Sequence, residues 1–415
     1  MQLKRWIGLV TVLLCAATAL AADPIEDRIS TATLTLPQAL EGYSSSRCTW
    51  DPCSLGPRLY LAPRANGAHL AGWTDTSGNG HVSFVAGSTI TATHNFSGRK
   101  VRGLVAHADG TYAVLLKDGV ILYLSKRAAN GSQIWLTNLN YSLTEDSSPL
   151  GDHRLAYGNG LYAAYWAVHG IDGWVKNHEG DQLQYVNDSG ALQGGGWSWG
   201  CSHSMAELVG YHPNDQAFTN FCSTDCYPDP PGLKMNHGTN IQTGQGDCRG
   251  GASLQLGQMA VAETGWKVIF NAENPDQSLT SGVGLATAGG GAGTSVVWLT
   301  ETDGRQERDP VLARIGQQVP ATYLVGWRTL NDQSLHIGII NGAGTFLEGP
   351  ETMSSGGPGW GARDDSFTSA PDGSVSWLEG SVGSTTLELH QYAVLTVFGD
   401  GFESGSIGQW SSATN

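Results

Sequence analysis

The chain has 415 residues, among them 57 glycines and 14 tryptophans, and charged side chains make up only 14 % of it. Frequent glycine and scarce charge exclude a coiled coil or long-helix protein, and 40 % apolar content excludes wholesale disorder. A net charge of −15 argues against general binding to nucleic acid or anionic lipid, and leaves metal ions, neutral glycans and cationic partners open.

Residues 1–22 read as an export signal. Lys4 and Arg5 form a basic start, Ile7 to Leu14 an apolar run, and Ala19-Leu20-Ala21 a small-residue cleavage site. That run is too short to span a membrane, and no later segment reaches the ~18 apolar residues a span needs. A secreted, soluble protein is expected, extracellular or displayed at the cell surface. Cleavage would leave 37 acidic against 20 basic side chains, a net of −17. It would also leave six cysteines, an even number that in an exported chain points to disulfides. Cys48 and Cys53 are expected to pair around Asp51-Pro52. Cys201, Cys222, Cys226 and Cys248 are expected to pair among themselves. A zinc site from Cys222 and Cys226 with His203 or His237 is the alternative, and an oxidising compartment disfavours it.

From residue 23 onward, a short turn followed by an aromatic and β-branched strand recurs. The turns are Asn66-Gly67, Asp109-Gly110, Asn159-Gly160, Asn214-Asp215, Thr264-Gly265, Val319-Pro320 and Asp372-Gly373, spaced 43 to 55 residues apart. Asn-Gly and Asp-Gly supply the positive φ that tight hairpins need. Short apolar runs on either side bring each unit to as many as four strands. Seven such units are the signature of an all-β, seven-bladed β-propeller, placed here over residues 23–397. An early strand, Thr31 to Leu36, is predicted to join the last unit and close the ring. Residues 222–250, with their Cys, Pro and Gly, read as a long loop inserted in the fourth blade. Trp73, Trp166, Trp266, Trp327 and Trp377 all fall in the strand after the turn, which assigns them to blade packing.

Residues 398–415 are expected to form a tail outside the propeller. Within it, FGDGFESGSIGQW from Phe398 to Trp410 resembles a short C-terminal motif, DGFESG followed by Trp, found on many secreted bacterial proteins. The resemblance covers 13 residues and implies a bacterial exported or surface protein, with nothing about chemistry. The repeat itself lacks the Trp-Asp period of one propeller class and the Ser-x-Asp-x-Gly-x-x-Trp box of sialidases.

With the innermost strand of each blade called A and the outermost D, the A–B turns lie on one face. The B–C loops and D-to-A links lie on the other, where they are long and rich in His, Arg, Asp and Trp; a site is expected there. Residues just before strand A ring the mouth of the central channel. His153, His203, Asp309 and Asp365 hold matching places and are the candidate acid–base groups. Arg308, Arg363, Asp364, Trp199 and Trp360 are the candidate substrate-binding residues. Arg-Asp recurs in two links, as Arg308-Asp309 and Arg363-Asp364, and serves equally as a blade-to-blade salt bridge or turn cap. Six of the 12 histidines fall between residues 153 and 237. Asp75 to Gly80 matches the front of a calcium loop, but Ala86 stands where the bidentate Glu belongs, so a B–C turn is expected. No cofactor is otherwise implied, and calcium is the one the sequence leaves open.

Two functional readings follow. In the first, the channel mouth binds or processes an extracellular glycan, with Trp faces for sugar rings and directional hydrogen bonds from Asp, Arg and His. A polysaccharide lyase would neutralise a uronate with Arg308 or Arg363 and draw the α-proton with His153 or His203. A glycoside hydrolase would pair Asp309 with Asp365. The alternative is a monomeric, non-catalytic surface-interaction module, a protein–protein platform or adhesin.

Overall fold

The turns that set the repeat have the backbone their sequences call for: φ is 85° at Gly110 and 73° at Gly160, with the same sign at Gly67, Gly265 and Gly373. The structure is a computed structural model. It describes residues 23–42, 57–64, 67–139, 144–145, 153–170, 178–202, 207–225, 227–244, 254–273, 281–290, 293–300, 306–329, 331–361 and 366–393. The segment read as an export signal, Cys48, Cys53 and residues 398–415 lie outside them.

Seven antiparallel sheets follow one another as a seven-bladed β-propeller. Blade one comprises Tyr60–Pro63, His69–Thr74, Gly80–Ala86 and Thr89–Phe96, in the order A to D. Blade two comprises Lys100–Ala106, Tyr112–Asp118, Ile121–Arg127 and Gln133–Asn138. Blade three comprises His153–Gly158, Leu161–His169, Glu179–Asn187 and Leu192–Trp197, and Thr144–Glu145 adds a short pairing to its strand B. Blade four comprises Glu207–His212, Ala217–Thr224, Gly232–Met235 and Thr239–Thr243. The expected loop over 222–250 is therefore corrected: two of these strands lie inside it and complete the sheet. They are short, of four and five residues, which is why no apolar alternation announced them.

Blade five comprises Leu254–Val261, Trp266–Glu273, Ser281–Ala288 and Ser295–Trp298. Blade six comprises Glu307–Ile315, Thr322–Thr329, Leu335–Asn341 and Phe346–Thr352. Blade seven takes only three strands from the end of the chain, Thr368–Ser369, Val375–Gly380 and Thr386–Tyr392. Its fourth is Ile29–Thr35, paired in register from Ile29↔Tyr392 to Thr35↔Thr386. The closing strand expected near Thr31 is thus present. It is fastened beyond its own sheet as well: Arg28 pairs with Glu348 of blade six, and Ile25 N donates to Glu351 Oε2 at 2.8 Å.

The core lies between blades. All five recurring tryptophans are buried, Trp73, Trp166 and Trp377 completely and Trp266 and Trp327 to 3 % exposure. Three of them share a feature invisible as a sequence motif. Trp73, Trp327 and Trp377 each face a histidine directly across the B–C ladder: His81, His336 and His390. The Trp73 and His81 rings stack at 4.0 Å and the Trp327 and His336 rings at 5.5 Å. His81 Nε2 lies 2.9 Å from Asp75 Oδ2, and His390 Nε2 lies 3.1 Å from Glu379 Oε2. His336 Nε2 meets the hydroxyls of Thr329 and Ser334 instead, so each histidine is half of a packing unit, with a ring face toward tryptophan and a polar edge on a carboxylate or hydroxyl.

The closing strand gives a direct test. Leu34 is 1 % exposed, pairs with Leu387 and packs beside Trp73 and Leu389, whereas neighbouring Thr33 faces solvent. Leu34→Ala is expected to cost about 2–5 kcal/mol in denaturant unfolding, and Thr33→Ala about 0.5 kcal/mol or less.

Candidate functional site

Strand A runs from the link face down to the A–B turn, so its first residues stand at the channel mouth. In blade three the first residue is His153, opposite Trp166. In blade four it is Glu207, opposite Cys222 at the matching depth. His203 lies outside the described residues, and Glu207 holds the ring position in that blade.

Strand A of blades two, five and six breaks register with strand B near this depth. The irregularities fall between Val101 and Gly103, between Leu256 and Met259, and between Arg308 and Val311. The residues set off the ladder are Arg102, Gly257-Gln258 and Asp309-Pro310. A bulge re-aims the side chain it carries, and a polar residue is the consequence of aiming it at a channel. Asp309 has a φ of 52°, the left-handed conformation that Asp tolerates better than most residues. A girdle of polar groups results: Arg102, His153, Glu207, Gln258 and Asp309. Arg102, His153, Glu207 and Gln258 are all at most 5 % exposed.

Two contacts skip a blade and so cross the channel. Arg58 Nη1 of blade one lies 3.1 Å from His153 Nδ1 of blade three. A guanidinium can only donate, so Nδ1 is the acceptor and the imidazole is neutral with its proton on Nε2. On the other side Gln258 of blade five ties to blade seven: its Nε2 donates to Phe367 O at 2.7 Å, and its Oε1 accepts from Phe367 N at 3.1 Å. The same Oε1 accepts from Leu312 N of blade six at 3.0 Å. Gln258 is therefore an inter-blade clamp, its oxygen accepting twice and its nitrogen donating once.

Asp309 is held in place from three directions. Arg328 Nε is 3.3 Å from its Oδ2, Gln255 Nε2 donates to its Oδ1 at 3.1 Å, and its own N donates to Gln255 Oε1 at 3.0 Å. Arg308 and Arg328 are direct cross-strand neighbours, a like-charge pair that Asp309 offsets. The salt bridge seen at Arg308-Asp309 runs from Asp309 to Arg328 within blade six, and the tie to blade five is the pair of hydrogen bonds with Gln255. Arg363, Asp364 and Asp365 lie outside the described residues.

Trp360 departs from expectation. A substrate-binding role calls for an open ring face, but Trp360 is 2 % exposed, and its Nε1 donates to Asp309 O at 3.3 Å. Its ring fills the place beside Gly326, where a Cβ would come within 2.8 Å of it, and meets Phe367 edge-on. Trp360 is the anchor of its link, its ring faces taken up by packing against Gly326 and Phe367. Trp199 is half-buried, with its indole against Gly180, where a Cβ would approach to 2.8 Å.

The link that carries Trp199 is pinned by a buried carboxylate. Asp181 accepts from Tyr165 Oη and, at 3.0 Å, from Trp197 Nε1. Burial raises its pKa to about 6, against the opposing pull of those two bonds and the backbone N–H groups of Cys201 and Gly200. Cys201, next in the chain, is disulfide-bonded to Cys222 of blade four. That bond falls within the four cysteines expected to pair together, and it removes Cys222 from the zinc alternative. It also fixes the B–C loop of blade four, where Ser202 N donates to Tyr227 O at 2.7 Å and the Tyr227 side is 50 % exposed. Tyr227 is the open aromatic that the residue pattern did not single out.

The histidine enrichment divides on inspection. His212 is buried and ties blade four to Ala262 O of blade five at 3.3 Å. His237 sits at a φ of 62° in the C–D turn of blade four, stacked on Trp197. The calcium-like segment is the expected turn: Asp75 Oδ1 accepts from Ser77 N at 2.8 Å and Asn79 N at 2.9 Å.

No family model matches the chain, and no curated protein matches it. Among solved structures it is similar to the Aleuria aurantia lectin, described as a six-bladed β-propeller with a novel fucose recognition mode. Identity there is 10 %, over 81 % of this chain and 92 % of the lectin, with a TM-score of 0.42. It is also similar to an α-L-arabinanase of Penicillium chrysogenum complexed with arabinobiose, at 11 % identity over 87 % and 98 % of the two chains and a TM-score of 0.44. AofleA from Arthrobotrys oligospora aligns at 9 % identity over 79 % and 90 %, with a TM-score of 0.39. At these identities the likeness is one of propeller architecture.

The Asp181 network predicts a pH dependence of stability. The folded pKa of about 6 lies above the ordinary value of 3.8, so the folded chain holds this proton more tightly than the unfolded one. The contribution is complete below pH 3.8 and is lost as pH rises through about 6. Thermal melts of Asp181→Asn against the parent should diverge in slope across that window, with the variant the flatter of the two.

Proposed function

We infer that the protein is a secreted propeller that binds a glycan at the link-face mouth of its channel. The observation that carries this reading is the polar girdle: Arg102 and Asp309 set off their strands by bulges, with His153 and Glu207 at the same depth. Sugar hydroxyls both donate and accept, and a ring of mixed donors and acceptors complements them. Trp199 and Tyr227 on the same face supply aromatic surface for stacking.

Binding is favoured over turnover by how the candidate acid–base groups are used. Asp309 is spent on Arg328 and Gln255, and the His153 Nδ1 atom on Arg58. A hydrolase needs carboxyl groups released to protonate a leaving group and to attack or activate water, and these groups are engaged in holding strands together.

The test is incubation of the chain lacking residues 1–22 with a polysaccharide panel, followed by mass spectrometry of the supernatant. Depletion of a glycan without new oligosaccharides is expected. His153→Ala and Glu207→Gln, checked for an unchanged melting profile, should weaken retention about tenfold. Unsaturated products would establish a lyase instead, hydrated products a hydrolase, and retention of no glycan would leave the surface-interaction module.

A further inference from the structure

Blade seven departs from the packing unit it shares with blades one and six. In each of the three, a tryptophan of strand B faces a histidine of strand C, and the next pair toward the B–C loop on the same face lies beside that histidine. In blade one the pair is Asp75 and Asn79, and Asn79 Nδ2 donates to Asp75 Oδ2 at 3.2 Å. In blade six it is Thr329 and Ser334, two hydroxyls at 3.0 and 3.1 Å from His336 Nε2. In blade seven it is Glu379 and Glu388, two carboxylates directly opposite each other on the ladder. Like charges so placed destabilise a sheet.

His390 Nε2 lies 3.1 Å from Glu379 Oε2 and 3.6 Å from Glu388 Oε2. Even protonated, one imidazole offsets only one of the two charges. Arg328 also acts on Glu379, but its Nε is already paired with Asp309 at 3.3 Å. The three facing atoms lie within 4.8 Å of one another. Ligands about 2.1 Å from a tetrahedral zinc ion stand about 3.4 Å apart, which the two histidine distances bracket. The ring is oriented from behind: His390 Nδ1 lies 2.8 Å from Thr31 Oγ1 of the closing strand. With Thr31 accepting from Nδ1, the Nε2 lone pair is turned to the carboxylates. Gly359 N donates to Glu379 Oε2 at 2.8 Å and orients that carboxylate as well. Both carboxylates are partly exposed, which gives an ion a way in.

We propose that Glu379, Glu388 and His390 form a three-ligand site for a divalent metal ion, with zinc the ion that one imidazole and two carboxylates suit and water in the fourth position. The ion gives two opposed carboxylates a shared counter-charge. It also joins strands B and C of blade seven to a histidine that Thr31 holds from the closing strand, so its binding bears on ring closure. The site uses none of the girdle residues at the channel mouth, and stands or falls apart from the glycan reading.

Equilibrium dialysis against zinc of the chain lacking residues 1–22, first stripped with EDTA, tests the proposal together with thermal melts with and without the ion. Zinc should be retained saturably and should raise the melting temperature by several degrees. Each variant is compared with its own metal-free melt, so a change in folding does not pass for a change in binding. Glu388→Gln should retain one zinc fewer per chain and lose the rise. Its metal-free melt should stay level or move up, because the opposed charges are gone while His390 keeps Glu379. Thr31→Val, at an exposed strand position, should keep the fold and weaken zinc about tenfold or more. No saturable uptake by the parent chain, or uptake and a melting rise undiminished in Glu388→Gln, would overturn the proposal. Equal zinc affinity in Thr31→Val would overturn the role given to the closing strand.

Discussion

Each blade is a sheet with apolar side chains on both faces, and a sheet can bury two faces only between two neighbours. A closed ring is the arrangement that gives every blade a neighbour on each side, and closure depends on the pairing of Ile29–Thr35 with Thr386–Tyr392. Without it the last sheet would end on a three-stranded edge, and the strands nearest the chain's start and end would be held by packing alone. The ties from Arg28 and Ile25 to blade six carry that closure across a second interface. Every later feature presupposes it, because a channel exists only inside a closed ring.

Closure sets the geometry of the site as well. Seven first strands converge on an axis, so their initial residues share one rim although hundreds of positions separate them in the chain. Arg58 and His153 touch across 95 residues, and Gln258 and Phe367 across 109. The bulges then act on a rim already formed. They turn Arg102, Gln258 and Asp309 off the ladder at the depth where the channel opens. On one side the groups are used up in clamping blades five, six and seven together. On the other, Arg58 lies against His153 past blade two, and Arg102 and Arg154 each donate to the carbonyl of the residue before them.

Buried polar groups elsewhere serve order more than chemistry. Asp181 gathers Tyr165 and Trp197 under the link that leads to the Cys201–Cys222 disulfide, and so holds the loops of blades three and four together. His81 and His336 do the same for their B–C loops through Asp75 and Ser334, and His390 ties Glu379 of strand B to Thr31 of the closing strand. A histidine count along the chain cannot separate these from a catalytic group, since the distinction lies in which ring or carboxylate each one meets. Trp360 shows the same limit from the other side. An unperiodic tryptophan reads as exposed, yet a glycine in the facing strand, Gly326, opens a slot that buries it.

The sequence by itself determined the architecture. Asn-Gly and Asp-Gly turns at a steady spacing, with an aromatic strand after each, admit a propeller of seven blades, because turn φ and strand alternation are local properties written in adjacent residues. The same locality placed the closing strand and the packed tryptophans. Locality also explains the failure at residues 222–250, where strands of four and five residues are too short to carry a period. Only the tertiary structure decided what the rim residues do. Whether Arg58 reaches His153 and whether Gln258 reaches Phe367 are set by distances between blades. Those distances follow from ring closure and bulge position, and neither is encoded in the neighbours of any one residue.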